Sequence, residues 1–315
     1  MAALAACAAP ARAQADYPNR PIRLIVPFPA GGATDLIARA TVDKLSQRLG
    51  QTVLVDNRAG AGGSIGSAEV ARAAPDGYTL LLATSSTHAI GPELNPKLPY
   101  RADTDFTPIL QLAQAPSLVL VPSTLPVSSM GELIAYAKAR PGQLNYGSSG
   151  NGTIVHLMTE AFKAQAGVFV THIPYRGTSF AINDLLAGQV HMVFESVVSG
   201  LPHVRDGKLK ALAITSAAPS ALVPGVRTVA ESGLPGYEAT TWFGLYGPKG
   251  LPPALVSRLN AELGAVLRMN EVRERLAGFG AEPVRAHTAA DFAEFVARDR
   301  ARWARIIKER RISVE

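Results

Sequence analysis

The chain has 315 residues, too many for one ordinary core and about right for two domains of typical size. Its 31 Lys and Arg are scattered among 25 Asp and Glu, giving a net charge of +6 with no basic run and no basic stripe interleaved with aromatics before the C-terminal helix. That pattern argues against a nucleic-acid partner and suits a surface that attracts small anions.

The N-terminus reads as a processed segment. Met1 to Ala9 is apolar and alanine-rich, and Ala13-Gln14-Ala15 supplies the small-x-small pattern of signal peptidase just before the polar Asp16-Tyr17-Pro18-Asn19. Residues 1–15 are therefore expected to be a signal peptide cleaved after Ala15, which places the mature protein in the periplasm. Leu4-Ala5-Ala6-Cys7 offers the alternative of a lipoprotein anchored at Cys7. Under soluble export the mature chain has no cysteine, so disulfides, thiolate catalysis and cysteine-ligated zinc are excluded. No later run reaches about 18 apolar residues without a charge or a proline, so nothing is expected to span a membrane.

Beyond that segment, short apolar runs alternate with helical patterns, the rhythm of α/β folds. Ile22–Val26, Val53–Val55 and Thr79–Ala83 read as strands, with helices over Asp35–Leu49, stopped by Gly50, and Ile65–Ala73. Ile109–Val121 is a long apolar stretch, with Pro116 inside it and Pro122 after it, suited to crossing from one lobe to another. A second series follows: helix Ser129–Arg140, strand Leu144–Tyr146, helix Ile154–Gly167, strand Val170–Pro174, helix Ser179–Ala187, then strands Val190–Glu195 and Leu209–Thr215. The chain is expected to return through the Pro/Gly-rich segment Pro219–Gly236 and to close with two helices. The lobes implied are residues 16–116 plus 220–315, and residues 117–219.

Two places share one design, an apolar strand running into a glycine-rich loop that opens a helix. In the first, Leu24-Ile25-Val26 leads into Pro27-Phe28-Pro29-Ala30-Gly31-Gly32-Ala33-Thr34-Asp35; in the second, Leu144-Asn145-Tyr146 leads into Gly147-Ser148-Ser149-Gly150-Asn151-Gly152-Thr153. Such turns aim backbone N–H groups and the positive end of a helix dipole at one point, which suits an anion. Neither loop contains lysine or arginine, so the expected guest is a carboxylate held between two lobes. Two further segments follow strands at their carboxyl ends, where open α/β sheets place ligands: Thr84-Ser85-Ser86-Thr87-His88 and Tyr175-Arg176-Gly177-Thr178. Arg176 is a possible bidentate partner for a carboxylate.

Enzyme signatures are weaker. Gly62-Gly63-Ser64-Ile65-Gly66 matches the Gly-x-Ser-x-Gly elbow of a serine hydrolase, but the elbow needs its serine directly between strand and helix, and Asp56 to Ala61 intervene here. The glycine loop Gly147 to Thr153 lacks the lysine of a phosphate-binding loop, and histidines 88, 156, 172, 191, 203 and 287 show no paired metal-ligand spacing. No catalytic residue, metal or cofactor is expected.

Four strings together resemble one family: Ile25-Val26-Pro27-Phe28-Pro29-Ala30-Gly31-Gly32-x-x-Asp35, Asp56-Asn57-Arg58-x-Gly60-Ala61-Gly62-Gly63, Gly147-Ser148-Ser149-Gly150-Asn151-Gly152-Thr153-x-x-His156 and Val170-x-His172-Ile173-Pro174-Tyr175-Arg176-Gly177. They are similar to the Bug family, the extracytoplasmic solute receptors of tripartite tricarboxylate transporters. The resemblance implies a type II periplasmic-binding-protein fold, two α/β lobes with a hinge and a ligand cleft between them. It implies a monomer that holds a small organic carboxylate through backbone amides and waters and passes it to membrane transporter subunits. A sensor kinase's periplasmic domain is the alternative partner. Phe28, Ala30, Gly31, Gly32 and Thr34 match the first ligand loop, and Ser148, Ser149, Gly150, Asn151, Gly152 and Thr153 the second. Ser85, Ser86, Thr87 and His88, with Tyr175, Arg176 and Gly177, complete the expected lining. Relatives carry Asp after the Gly-x-Val of the next turn and another at the end of the strand that follows; here His191 and Glu195 stand instead. Glu195, an acid with a longer arm, is expected to meet an ammonium group or a water, or to narrow the pocket.

Overall fold

The computed structural model describes residues 17–284, 288–309 and 312; the expected signal peptide, its cleavage point and Cys7 lie outside them. In the first lobe, β1 (Ile22–Val26), α1 (Ala33–Leu49), β2 (Val53–Asn57), α2 (Ser64–Ala71) and β3 (Thr79–Thr84) build a parallel β2-β1-β3 unit. Ile22, Leu24, Ile25 and Val26 are all buried, the near-continuous apolar run of a strand covered on both faces. Gly50 ends α1 in the left-handed conformation at φ +69°, as its sequence position anticipates. A π turn (Ser86–Ile90) and the short α3 (Gly91–Leu94) follow β3 directly.

The expected crossing stretch is one long strand, β4 (Phe106–Pro122). Residues Phe106 to Pro116 pair with a strand near the C-terminus, and Ser117 to Pro122 pair with the second lobe. Pro116 stands where one ladder ends and the next begins, a position where a missing N–H costs little. The second lobe comprises α4 (Met130–Lys138), β5 (Asn145–Ser148), α5 (Ile154–Ala166), β6 (Thr171–Pro174), α6 (Thr178–Leu186), β7 (Met192–Ser196), α7 (Val197–Arg205) and β8 (Leu209–Ile214). Its sheet runs β4-β7-β5-β6, with β8 also against β4. Parallel β5 pairs put their carboxyl ends, and so the starts of α5 and α6, toward the first lobe.

The return crossing differs from expectation. Residues 220–239, assigned in advance to the first lobe, remain hydrogen-bonded to the second: Thr228 bridges Ile214, the Val229 N–H donates to the Ile214 carbonyl, and Tyr237 Oη donates to the Met158 carbonyl. Proline and glycine there make turns on the lobe surface rather than an inter-lobe linker. The chain crosses at β9 (Thr240–Pro248), a strand not anticipated, antiparallel to β4 and β3. Beneath the crossing, Thr215 Oγ1 accepts from the Ser117 N–H at 2.8 Å and donates to the Ala239 carbonyl at 2.6 Å, which ties the two crossing strands together in a buried position. Three helices rather than two close the chain: α8 (Pro253–Arg268), α9 (Asn270–Gly278) and, after the short β10 (Glu282–Pro283), α10 (Ala289–Glu309). Phe292 and Trp303 of α10 are buried against the first lobe, where Trp242 Nε1 donates to Asp299.

Candidate ligand-binding site

Four helices begin at one cavity of about 50 Å³ between the lobes. Gly32, Ala33 and Thr34 bring the start of α1, Ile154 and Val155 that of α5, Thr178 and Ser179 that of α6, and Ser196 that of α7. The residues preceding α1, α5 and α6 are Gly32, Thr153 and Gly177, and none caps its helix with a side-chain hydrogen bond. Thr153 could do so by type, but its hydroxyl donates to the Gly150 carbonyl instead. The fourth helix, α7, is capped: Ser196 Oγ accepts from the Val198 N–H. The dipole ends of α1, α5 and α6 and the first-turn N–H groups of α1 and α6 are therefore left to face a guest, while the Ile154 N–H of α5 is spent on Ser86 Oγ. Among the described residues the only charged side chain in the cavity wall is that of Glu195; the rest of the polar lining is hydroxyls.

The first loop contributes Phe28, Gly32 and Thr34 to the wall, while Ala30 and Gly31 are exposed on its outside. Gly31 shapes the turn instead: at φ +81° it donates its N–H to Asp35 Oδ2 at 3.0 Å. Asp35 also accepts from Arg39 and from Asn57, so it is a structural clamp on the loop. Burial alone would raise its pKa, but the hydrogen bonds from Arg39, Gly31 and Asn57 outweigh burial and hold it below the ordinary carboxylate value.

After β3, Thr84 and Ser86 of the expected segment reach the cavity. Ser85 and Thr87 are buried beside it without lining it, and Thr87 Oγ1 accepts from the Thr84 N–H. His88 is a correction. Its ring is buried inside the first lobe against Phe106, Tyr246 and Tyr100, and desolvation drives its pKa down to about 3. The π turn rotates it away from the strand end and into the aromatic core.

In the second loop Ser149 lines the cavity and the other residues build its support. Ser148 Oγ pairs with His172 Nε2 at 2.6 Å and accepts from the Gly150 N–H at 3.1 Å. His156 accepts from the Gly152 N–H and stacks on His172, with ring centroids 4.2 Å apart. Burial lowers both imidazoles, to about 4 for His156 and about 3 for His172, so the stack is neutral. Asn151 is exposed and Gly152 half-buried at the rim. Tyr175 is turned away, because its hydroxyl donates to Asp184 Oδ2 at 2.6 Å. Arg176 is exposed, outside the cavity wall and without an ion pair among the described residues. Gly177 is not in the wall either; it lies where the lobes touch.

Glu195 stands in the wall and is buried. Ser199 Oγ donates to its Oε1, while Oε2 has no hydrogen-bond partner. Thr178 faces the carboxyl from α6 without closing a hydrogen bond to Oε2. Burial, only partly offset by the hydroxyls of Ser199 and Thr178 and by the Ser196 backbone N–H, pushes the pKa up to about 7. The departure at His191 has a different consequence: Nδ1 accepts from the Asn145 N–H at the far end of β5, outside the cavity.

Sequence reasoning missed Ser117, Thr241 and Phe243, which enter from the crossing strands β4 and β9. The apolar crossing stretch was a signal for Ser117; nothing local marks the other two. The lobes meet around the cavity. The Ile154 N–H donates to Ser86 Oγ, and a β-carbon on Gly177 would stand 2.4 Å from Pro29 Cδ. Ser64, the elbow candidate, is the buried first residue of α2, reached through a 3-10 turn over Ala61–Gly63 rather than directly from a strand. No group of three or more His, Cys, Asp or Glu among the described residues is placed to hold a metal, and no described helix is long and apolar enough to cross a membrane.

Comparison with known proteins agrees with this architecture. The model of the tripartite tricarboxylate transporter family receptor matches residues 37–312. Protein BugT of Bordetella pertussis is 42% identical over 308 residues, covering 98% of this chain and 94% of that protein. An R. palustris protein solved with adipate superposes with a TM-score of 0.92 at 37% identity, covering 95% of this chain and 99% of that one. MatC from Rhodopseudomonas palustris, solved with bound malate, gives 0.89 at 34% identity, covering 92% and 100%. With a cleft between two α/β lobes in the type II periplasmic-binding-protein architecture, the chain belongs to the tripartite tricarboxylate transporter receptor family, whose members are periplasmic solute-binding proteins.

Proposed function

We propose that this protein is a non-enzymatic periplasmic receptor that closes around a small organic carboxylate and delivers it to a tripartite tricarboxylate-type membrane transporter. The observation that carries this reading is the convergence of uncapped helix starts on a cavity whose wall holds hydroxyls and no cationic side chain. A carboxylate placed there accepts hydrogen bonds from first-turn N–H groups and from Ser86, Ser149 and Thr178, directly or through water. Adipate and malate in two similar structures support the carboxylate class.

Closure follows from differential binding. Gly32 and Ser86 belong to the first lobe, Ser149 and Thr178 to the second, so a guest touches both sets only when the lobes meet. Its binding energy then favours the closed state over the open one. The crossing strands, tied by Thr215 to Ser117 and Ala239, supply the hinge.

The test is a thermal-shift screen of the mature protein against mono-, di- and tricarboxylates, aromatic acids and amino acids. At about 100 times its dissociation constant a ligand adds about 2.7 kcal/mol, a shift of several degrees. A carboxylate hit confirmed by calorimetry supports the reading; selective binding of uncharged or cationic solutes overturns it.

A further inference from the structure

The cavity wall carries a feature that a plain carboxylate does not satisfy. Glu195 is buried, it is the only charged side chain in the wall among the described residues, and its Oε2 lacks any hydrogen-bond partner. A buried polar atom left unpaired is costly, and a buried unpaired charge more so. The carboxyl is also fixed in place. Leu118 stands opposite Glu195 in the β4–β7 ladder, Ser199 holds Oε1, and its Cγ lies against the backbone of Gly200 in α7. It therefore has little freedom to swing out toward solvent.

The cavity is polarised as a result. Helix starts from α1, α5 and α6 present positive dipole ends, and Glu195 presents an acceptor beside them. A dicarboxylate would bring a second negative group into a small cavity that already contains Glu195. A hydroxyl on the guest would satisfy Oε2 but leave the acid's charge uncompensated. An ammonium group does both, through a charge-assisted hydrogen bond. We infer that the ligand is an amino-bearing carboxylate, its carboxylate on the helix starts and its ammonium on Glu195 Oε2, and that Glu195 is the specificity-determining residue. This rests on the carboxylate-receptor reading and narrows its substrate class. Burial holds the ligand-free carboxyl up at about 7, so an arriving ammonium meets a group that readily gives up its proton.

The experiment is calorimetry at pH 8 on wild-type protein and Glu195→Gln, with amino acids beside their deamino counterparts: alanine and propionate, aspartate and succinate, γ-aminobutyrate and butyrate. In the wild type one amino member should bind at least about 100-fold more tightly than its counterpart, as expected where a site is built around a group the analogue lacks. Glu195→Gln should erase most of that ratio, chiefly by weakening the amino ligand. Its ligand-free melting temperature should be equal or higher, since a buried acid has been neutralised, and this separates loss of recognition from loss of fold. Equal or tighter binding of the deamino partner, or an unchanged ratio in Glu195→Gln, overturns the inference while carboxylate binding itself keeps the receptor reading intact. Simple amines that bind as tightly as amino acids overturn the receptor reading and this inference together.

Discussion

The backbone N–H of Ile154, at the first turn of α5 in the second lobe, donates to Ser86 Oγ of the first lobe at 3.0 Å, and both residues are buried. This single bond spans the cleft. It exists only when the lobes are together, so it contributes to closure rather than to the stability of either lobe.

Ser86→Ala should therefore weaken ligand binding with little change in ligand-free stability. In the closed form the Ile154 N–H would lose its partner, which costs about 1 to 3 kcal/mol; in the open form water satisfies it. Calorimetry should record roughly 5- to 150-fold lower affinity, and small-angle scattering should show reduced compaction on ligand addition. Unchanged affinity would sink the idea.

Gly177 faces the other lobe so closely that side-chain size decides closure. A β-carbon there would lie 2.4 Å from Pro29 Cδ, closer than real contacts allow. Gly177→Ala should lower affinity, and Pro29→Gly added to it should restore part of the loss, measured as the coupling in a double-mutant cycle. Two independent, additive losses would contradict the contact.

Glu195 should make the ligand-free protein less stable as pH rises. Its folded pKa, about 7, lies above the ordinary value of 4.5, so between those limits the folded state holds more protons than the unfolded one. Stability from this group is full below 4.5 and is lost as pH climbs to about 7, by about 3 kcal/mol in total. The difference between Glu195→Gln and wild type in urea midpoint should widen over that window and stay flat above it. A difference that is constant with pH would show that Glu195 titrates normally.

His88 works in the opposite direction. Desolvation in the aromatic cluster lowers its pKa to about 3 from an ordinary value of 6.5, so the unfolded state takes up a proton first as pH falls. Stability from its neutral burial is full above 6.5 and is lost on acidification, by about 2 to 3 kcal/mol at pH 4.5. His88→Phe should unfold less readily between pH 6.5 and 4.5 relative to its own stability at pH 8. An acid limb as steep as wild type would place the sensitivity in His156 and His172 instead.

Ser64→Ala should leave affinity for the carboxylate nearly unchanged and should reveal no loss of ester hydrolysis, because Ser64 is a buried helix-start residue behind a 3-10 turn. Loss of a measurable esterase rate in the variant would restore the hydrolase reading.

The two glycine loops were legible because their chemistry is local. Gly31 at positive φ, Gly32 before α1 and Gly150 to Thr153 before α5 all declare turns that release helix N–H groups, and these need only neighbouring residues to form. Aim was less legible. His88, Tyr175 and Arg176 follow strand ends as cleft residues do, yet one π turn buries His88, a bond to Asp184 turns Tyr175 aside and Arg176 faces solvent. The segment Pro219–Gly236 read as the return between lobes from its composition, but Arg227 and Val229 pair with Ile214 and Pro235 with Gln165, residues that lie outside it.

By itself the amino-acid sequence determined the α/β rhythm, the two glycine-rich loops that open helices, the crossing stretch that became β4 and the family. Each rests on short-range periodicity or on backbone chemistry written within a few residues. Only the tertiary structure decided that Ser117, Thr241 and Phe243 from two crossing strands complete the wall, that Ser86 bonds across the cleft to Ile154, and that Glu195 Oε2 is left without a partner. Those facts depend on which remote backbones the hinge brings together, and burial and pairing exist only once they meet.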